Sequence, residues 1–231
     1  MANSTFVISA PPVPTLPVTG SDALFPVHRI YCVGRNFADH AIEMGHDPNR
    51  EPPFFFQKNP DNLVLSGATI PYPKRSSDVH YEIELIVALK SGGEDIPLES
   101  ALDHVYGYGV GIDLTRRDLQ GEAKKLGRPW EVGKAFEQSA PATALVPASQ
   151  IGHPDAGRIW LSVNGDVKQD GDLNMMIWKV PEMIATLSTL FKLEPGDLIF
   201  AGTPAGVGPL KTGDVIKGGV AGVAELDITI G

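Results

Sequence analysis

The run from His80 to Leu89, reading His-Tyr-Glu-Ile-Glu-Leu-Ile-Val-Ala-Leu, constrains the fold of this chain more than any other segment. Its apolar residues read as a strand, and in a strand positions i and i+2 share a face about 7 Å apart. Glu82 and Glu84 would therefore project together, with Tyr81, Ile83 and Leu85 on the reverse face. Two adjacent anions repel, and burying either unpaired is costly. Either both lie at the solvent, as the polar side of a half-exposed strand, or a cation neutralises them. The apolar continuation Leu85 to Leu89 favours the cation.

A third acid strengthens that choice. Gly107 to Thr115 reads as a small-residue strand that delivers Asp113 to its end, just before a helix start. Three carboxylates with no cysteine and no obligatory histidine make a hard oxygen set suited to Mg²⁺ or Mn²⁺, with the other octahedral positions left to water or substrate.

With 25 glycines and 20 prolines in 231 residues, the chain favours turns over long helices, and a mostly β fold with short helices in one domain is expected. Residues 1–26, with five prolines from Pro11 to Pro26, are expected as an extended arm, leaving 27–231 as the catalytic domain. Strands are expected at Arg29 to Gly34, Phe54 to Lys58, Leu63 to Leu65, Leu198 to Phe200 and Ala224 to Ile230. Asn36 should cap a short helix ending near Gly45, and Thr115 to Asp118 resembles a capping box opening a helix towards Gly127. Asn164-Gly165 signals a hairpin, and Pro181 opens what should be the longest helix.

The 28 acidic against 19 basic residues give a formal charge of -9, so nucleic acid is not an expected partner. A lone cysteine, Cys32, cannot form an internal disulfide, and Met1 to Thr5 lacks the basic and apolar regions of a secretory signal, so a cytoplasmic protein is expected. No stretch approaches the roughly 18 uninterrupted apolar residues that span a bilayer.

On the short helix His40 and Glu43 stand three apart, so imidazole and carboxylate can meet as an acid-base pair, or simply share a solvated face. Lys134, between Gly133 and Ala135, is either a surface lysine or a cation beside an oxyanion. Thr203, in a Gly-rich turn, either ends a strand or helps to hold a carboxylate. The glycines at 107, 109 and 111 miss the dinucleotide spacing, and Gly202 to Gly208 lacks the Gly-Lys-Ser/Thr of a phosphate loop.

In order, Cys32 to Asn36, Ala38 to His40 with Glu43, Glu82-x-Glu84, Asp113 to Thr115 with Arg117, Asp118 and Gln120, Pro129-Trp130, Lys134, Asn164-Gly165 and Gly202 to Gly208 resemble the fumarylacetoacetate hydrolase family, in particular its small single-domain acylpyruvate hydrolases. The resemblance runs from about Arg29 to the carboxyl end. It implies that family's mixed β-sandwich roll, usually as a homodimer. It also implies Mg²⁺ or Mn²⁺ on Glu82, Glu84 and Asp113, a water-activating dyad of His40 and Glu43, and a substrate site lined by Lys134, Gln120 and Thr203. The implied substrate is a 2,4-dioxo acid, with fumarylpyruvate as the specific expectation, in the breakdown of aromatic compounds. Arg35, Lys58, Arg117 and Arg128 lie near the motifs and could meet a distal carboxylate.

Three rivals stand beside this expectation. The same scaffold serves oxaloacetate decarboxylation or isomerisation of a 2-oxo diacid. A second is a two-histidine, one-carboxylate iron site built from His80, Glu82 and His104 or His153. Non-catalytic ligand binding is the last.

Overall fold

The computed structural model describes residues 6–38 and 51–231. The helix expected between Asn36 and Gly45, with His40 and Glu43, therefore lies outside the described residues beyond Ala38.

Strands with few short helices make the fold, as expected. Among the described residues an eight-stranded mixed sheet is centred on Ile83–Leu89 and runs in the order Phe54–Lys58, Ile30–Gly34, Leu198–Phe200, Ile83–Leu89, Val105–Ile112, Ala140–Ala142, Leu63–Leu65, with Val146–Pro147 also paired to Val105–Ile112. Leu198–Phe200 runs parallel to Ile30–Gly34 and Ala140–Ala142 parallel to Leu63–Leu65, while the other pairs are antiparallel. A five-stranded sheet follows the order Asp166–Asp172, Arg158–Val163, Val215–Val220, Ala224–Ile230, Thr69–Ile70. A small sheet of Thr115–Arg116, Val79–Tyr81 and Gly208–Pro209 closes one end.

Side-chain alternation explains the layers. Tyr81, Ile83, Leu85, Val87 and Leu89 join Ile159, Leu161, Ile216, Leu226 and Ile228 of the five-stranded sheet in one apolar cluster. Ile86 and Ala88 point the other way, into a second cluster with Ile30, Cys32, Leu198 and Phe200. Glu82 and Glu84 share parity with Ile86, so the acids emerge on that second side, at the end of the strand where the apolar run stops. On the facing strand Gly111, Gly109 and Gly107 sit opposite Glu84, Ile86 and Ala88. A Cβ at Gly111 would come within 2.7 Å of both Ile86 and Phe200, so this spacing of glycines serves close packing.

Asn164 and Gly165 take φ of 53° and 89°, the left-handed pair that a two-residue hairpin needs between Arg158–Val163 and Asp166–Asp172. Val180–Leu190, with Pro181 in its first turn, is the longest helix among the described residues and buries Met183, Ile184 and Leu187.

Within 1–26 the extended segment folds back on itself: Thr15–Val18 and Ser21–Pro26 pair as an antiparallel hairpin, and Leu16, Val18 and Phe25 enter the second apolar cluster. The prolines allow this because Pro17 and Pro26 sit on an edge hairpin. One expectation needs correction: the capping box at Thr115 to Asp118 does not form. The helix Arg117–Lys125 begins after Arg116 with no side-chain cap. Thr115 Oγ1 instead accepts from Lys134, and Asp118 accepts from Ser76 Oγ, Ser77 N–H and Leu119 N–H.

Candidate metal centre and substrate cleft

The acids meet because of strand register. Ile83 pairs with Ile112 and Glu84 with Gly111, so Asp113 falls opposite Glu82, and its N–H donates to the Glu82 carbonyl at 2.8 Å. Ligand oxygens of Glu82, Glu84 and Asp113 all lie within 4.8 Å of one another, and the three residues are 5%, 2% and 0% exposed. The expected triad is therefore assembled and buried, and the solvent-facing alternative for the two glutamates falls away.

Three cations answer two of these anions, Glu82 and Asp113. Lys134 Nζ, buried at the floor, donates to Glu82 Oε2 at 2.8 Å, Asp113 Oδ2 at 2.5 Å and Thr115 Oγ1 at 2.7 Å. Lys58 Nζ stands 2.8 Å from Asp113 Oδ1 and also donates to the Leu114 and Lys134 carbonyls. Arg117 reaches Glu82 Oε1 at 2.5 Å. Glu84 has instead the Gly202 N–H at 2.8 Å.

Burial, then the charges of Asp113 and Glu82, push the Glu84 carboxyl well above the usual carboxylate range. Desolvation lowers Lys134, but the adjoining Asp113 and Glu82 outweigh it and leave the ammonium raised. A floor of three convergent buried carboxylates, one of them with no ion-pair partner among the described residues, fits a divalent cation. The donor set is all oxygen, as Mg²⁺ and Mn²⁺ prefer.

The cleft above this floor is lined by Arg35, Phe54, Phe56, Glu82, Glu84, Arg117, Gln120, Lys124, Trp130, Lys134 and Thr203. It gathers Arg35, Glu82, Glu84, Arg117, Gln120, Lys134 and Thr203 of the residues the sequence nominated, with buried Asp113 beneath. Arg35 stands at the turn after Ile30–Gly34 with φ 57°, a conformation costly for a side-chain-bearing residue and found preferentially at functional sites. Gln120 accepts from Arg117 Nη1 at 2.8 Å, on the helix turn that also aims Arg117 at Glu82. Thr203 follows Leu198–Phe200 and accepts from Gln169 Nε2 at 2.8 Å, which leaves its own hydroxyl hydrogen to donate.

Two of the cations suggested for a distal carboxylate do not serve it. Lys58 is spent on Asp113, and Arg128 is exposed, with Glu122 at 3.8 Å. The iron reading also fails, because the convergent ligand group among the described residues is Glu82, Glu84 and Asp113 with no histidine in it, while His80 pairs with Asp78, His104 with Ser91 and His153 with Tyr108.

Lys124 was missed, although it lies seven residues after Arg117 and four after Gln120, a helical spacing that puts all three on one face. Gln169 was missed too, and nothing local marks it. It comes from the distant hairpin, accepts from Ile83 N–H and donates to Thr203 and Pro204.

A curled mixed sheet with a buried triad of acids at the end of its central strands defines the class: a β-roll protein with an oxygen-rich metal centre. Residues 29–230 match the profile of the fumarylacetoacetate (FAA) hydrolase C-terminal family. A fumarylpyruvate hydrolase of a Ralstonia species is 45% identical over 185 residues, covering 80% of this chain and 96% of that protein. A mitochondrial oxaloacetate tautomerase of Mus musculus is 43% identical over 197 residues, covering 85% and 89%. The crystal structure of fumarylpyruvate hydrolase from Pseudomonas aeruginosa in complex with Mn²⁺ and pyruvate superposes with a TM-score of 0.96 at 49% identity, covering 98% of this chain and 99% of that one. The chain belongs to the fumarylacetoacetate hydrolase family.

Proposed function

We propose that this protein is a divalent-metal-dependent hydrolase of a carbon-carbon bond in a 2,4-dioxo acid, and that its substrate is fumarylpyruvate, cleaved to fumarate and pyruvate in aromatic catabolism. The observation that carries this is the buried meeting of Glu82, Glu84 and Asp113 below a cationic cleft. The likeness to the Pseudomonas aeruginosa enzyme, crystallised with Mn²⁺ and pyruvate, supports both metal and product.

Glu82, Glu84 and Asp113 would hold Mg²⁺ or Mn²⁺. When bound, the ion supplies the positive charge that favours an enolate leaving group. His40, oriented by Glu43, takes a proton from water, and the water oxygen adds to the 4-carbonyl carbon. Lys134 lines the same cleft, and the positive charge of its ammonium favours the oxyanion formed there. The bond between C3 and C4 then breaks, its electron pair passing to the pyruvate fragment, which takes a proton at C3. Thr203 with its turn amides anchors the 1-carboxylate, and Gln120 and Arg35 complete the cleft wall.

Purified protein with Mn²⁺ should remove the ultraviolet enol band of fumarylpyruvate and yield fumarate and pyruvate in equal amounts. Absence of turnover on this and on shorter acylpyruvates would sink the reading. Oxaloacetate chemistry is the second reading, favoured by the tautomerase relative, and carbon dioxide release or keto-enol exchange from oxaloacetate would identify it.

The proposed assembly is a homodimer, supported by the apolar surface that Phe6, Val7, Ile8 and Val13 expose ahead of the first hairpin. The proposed location is the cytoplasm, supported by a single cysteine that is wholly buried.

A further inference from the structure

Two cations in the cleft have no ion-pair partner among the described residues. Lys134, Lys58 and Arg117 are spent on Glu82 and Asp113. Arg35 and Lys124 line the same cleft, and no carboxylate among the described residues lies within ion-pair distance of either. They stand on adjoining aromatic rings. The Arg35 guanidinium sits 5.3 Å from the Phe54 ring centre and Lys124 Nζ 4.9 Å from that of Trp130, while the two rings meet edge to face at 5.4 Å.

Their position suits the far end of a substrate. Along the helix Arg117–Lys125, seven residues separate Arg117, beside the triad, from Lys124, an axial distance of about 10 Å. A seven-carbon diacid holds its two carboxyl carbons six bonds apart, about 7 Å in an extended chain. With one end over the triad, the other carboxylate comes within reach of a lysine ammonium two helix turns on. Phe54, Phe56 and Trp130 offer flat apolar walls to a conjugated chain between these ends. Desolvation, followed by the positive charges of Arg117, Arg35 and Lys134, depresses Lys124 to about 8, so an anion arriving there relieves repulsion as well as forming a bond.

We propose that Lys124, together with Arg35, receives the distal carboxylate of a dianionic substrate and so sets a preference for diacid over monoacid acylpyruvates. This rests on the reading of the cleft as an acylpyruvate site, and two measurements separate the claims.

The first compares Mn²⁺-loaded wild type, Lys124→Met and Lys124→Arg on fumarylpyruvate and on acetylpyruvate, which has the same 2,4-dioxo acid head without the far carboxylate. Lys124→Met should raise KM for fumarylpyruvate about tenfold or more, the value of one charge-assisted hydrogen bond, with kcat changed by less than about threefold. The ratio of kcat/KM between the two substrates should fall accordingly, and Lys124→Arg should restore most of it. A wild-type ratio in Lys124→Met, or equal losses on both substrates, overturns the assignment.

The second uses wild type alone and so does not depend on a variant folding. 2-Oxoheptanedioate should compete at least about tenfold more tightly than 2-oxoheptanoate, which has the same seven-carbon chain and no second carboxylate. Equal affinities overturn the inference even if acylpyruvates are hydrolysed. A tenfold difference in a protein that turns over neither acylpyruvate upholds the distal site while removing the hydrolase reading.

Discussion

The backbone N–H of Gly202 donates to Glu84 Oε2 at 2.8 Å, joining residues 118 positions apart. Gly202 takes φ +93°, and a Cβ there would lie 2.7 Å from the Cβ of Asn36, a buried residue whose amide donates to the Trp178 and Ala201 carbonyls. The loop after Leu198–Phe200 is thus held against the acid triad by a conformation that disfavours any side chain. Gly202→Ala should cost about 2 kcal/mol and lower the melting temperature by roughly 5 °C. It should also weaken Mn²⁺ binding by displacing Glu84. Thermal melts with and without Mn²⁺ would read both effects.

Metal affinity tests the triad against the histidines directly. Glu84→Gln should weaken Mn²⁺ binding by at least about tenfold in titration calorimetry. His80→Ala should stay within about twofold of wild type, because His80 Nε2 is engaged with Asp78 at 2.9 Å and the convergent ligand atoms are those of Glu82, Glu84 and Asp113. The opposite pattern would revive the iron site.

Lys134 and a bound divalent ion would neutralise the same carboxylates. Lys134→Met leaves Glu82 and Asp113 short of positive charge and should destabilise the metal-free protein by about 3 kcal/mol. Added Mn²⁺ should then raise the melting temperature of the variant by more than that of wild type, although turnover is lost. Equal Mn²⁺-induced shifts would show that Lys134 does not neutralise the triad.

Thr203 is only 2% exposed and accepts from Gln169, so its hydroxyl is oriented before any ligand arrives. Thr203→Val keeps the volume and removes the donor. KM should rise about tenfold with a smaller effect on kcat, as measured by steady-state kinetics on fumarylpyruvate.

Lys124 makes the substrate preference sensitive to pH. Its ammonium, lowered to about 8 by desolvation and by Arg117, Arg35 and Lys134 against the opposing pull of Glu82, is charged below that value and neutral above it. The kcat/KM ratio of fumarylpyruvate to acetylpyruvate should therefore hold below pH 8 and decline above it. Dividing one substrate by the other removes ionisations common to both. In Lys124→Met the ratio should be low and flat across this range.

Much of the site was legible because its signals are short-range. The alternation from Tyr81 to Leu85 places Glu82 and Glu84 on one face whatever surrounds the strand, and Asp113 is marked by its place at the end of a glycine-rich run. Asn164-Gly165 announces its hairpin because few other residue pairs adopt two positive φ angles. The hairpin of Thr15–Val18 with Ser21–Pro26 was hidden, since prolines mask a strand signal whenever the proline faces an unpaired edge. The capping box misled because Thr115 had a stronger partner in Lys134, which no local pattern reveals.

By itself the sequence determined the mostly β character, the pairing of acids on one strand face and the motif order that marks the family. These depend on residue parity and backbone preference, which act over a few positions. Tertiary structure decided which cations answer which anions: it committed Lys58 to Asp113, placed Lys134 across Asp113 and Glu82, and left Arg35 and Lys124 without an ion-pair partner among the described residues. The reason is that charge pairing in a buried site is a property of distances between strands and helices far apart in the chain, and those distances exist only once the sheets have packed.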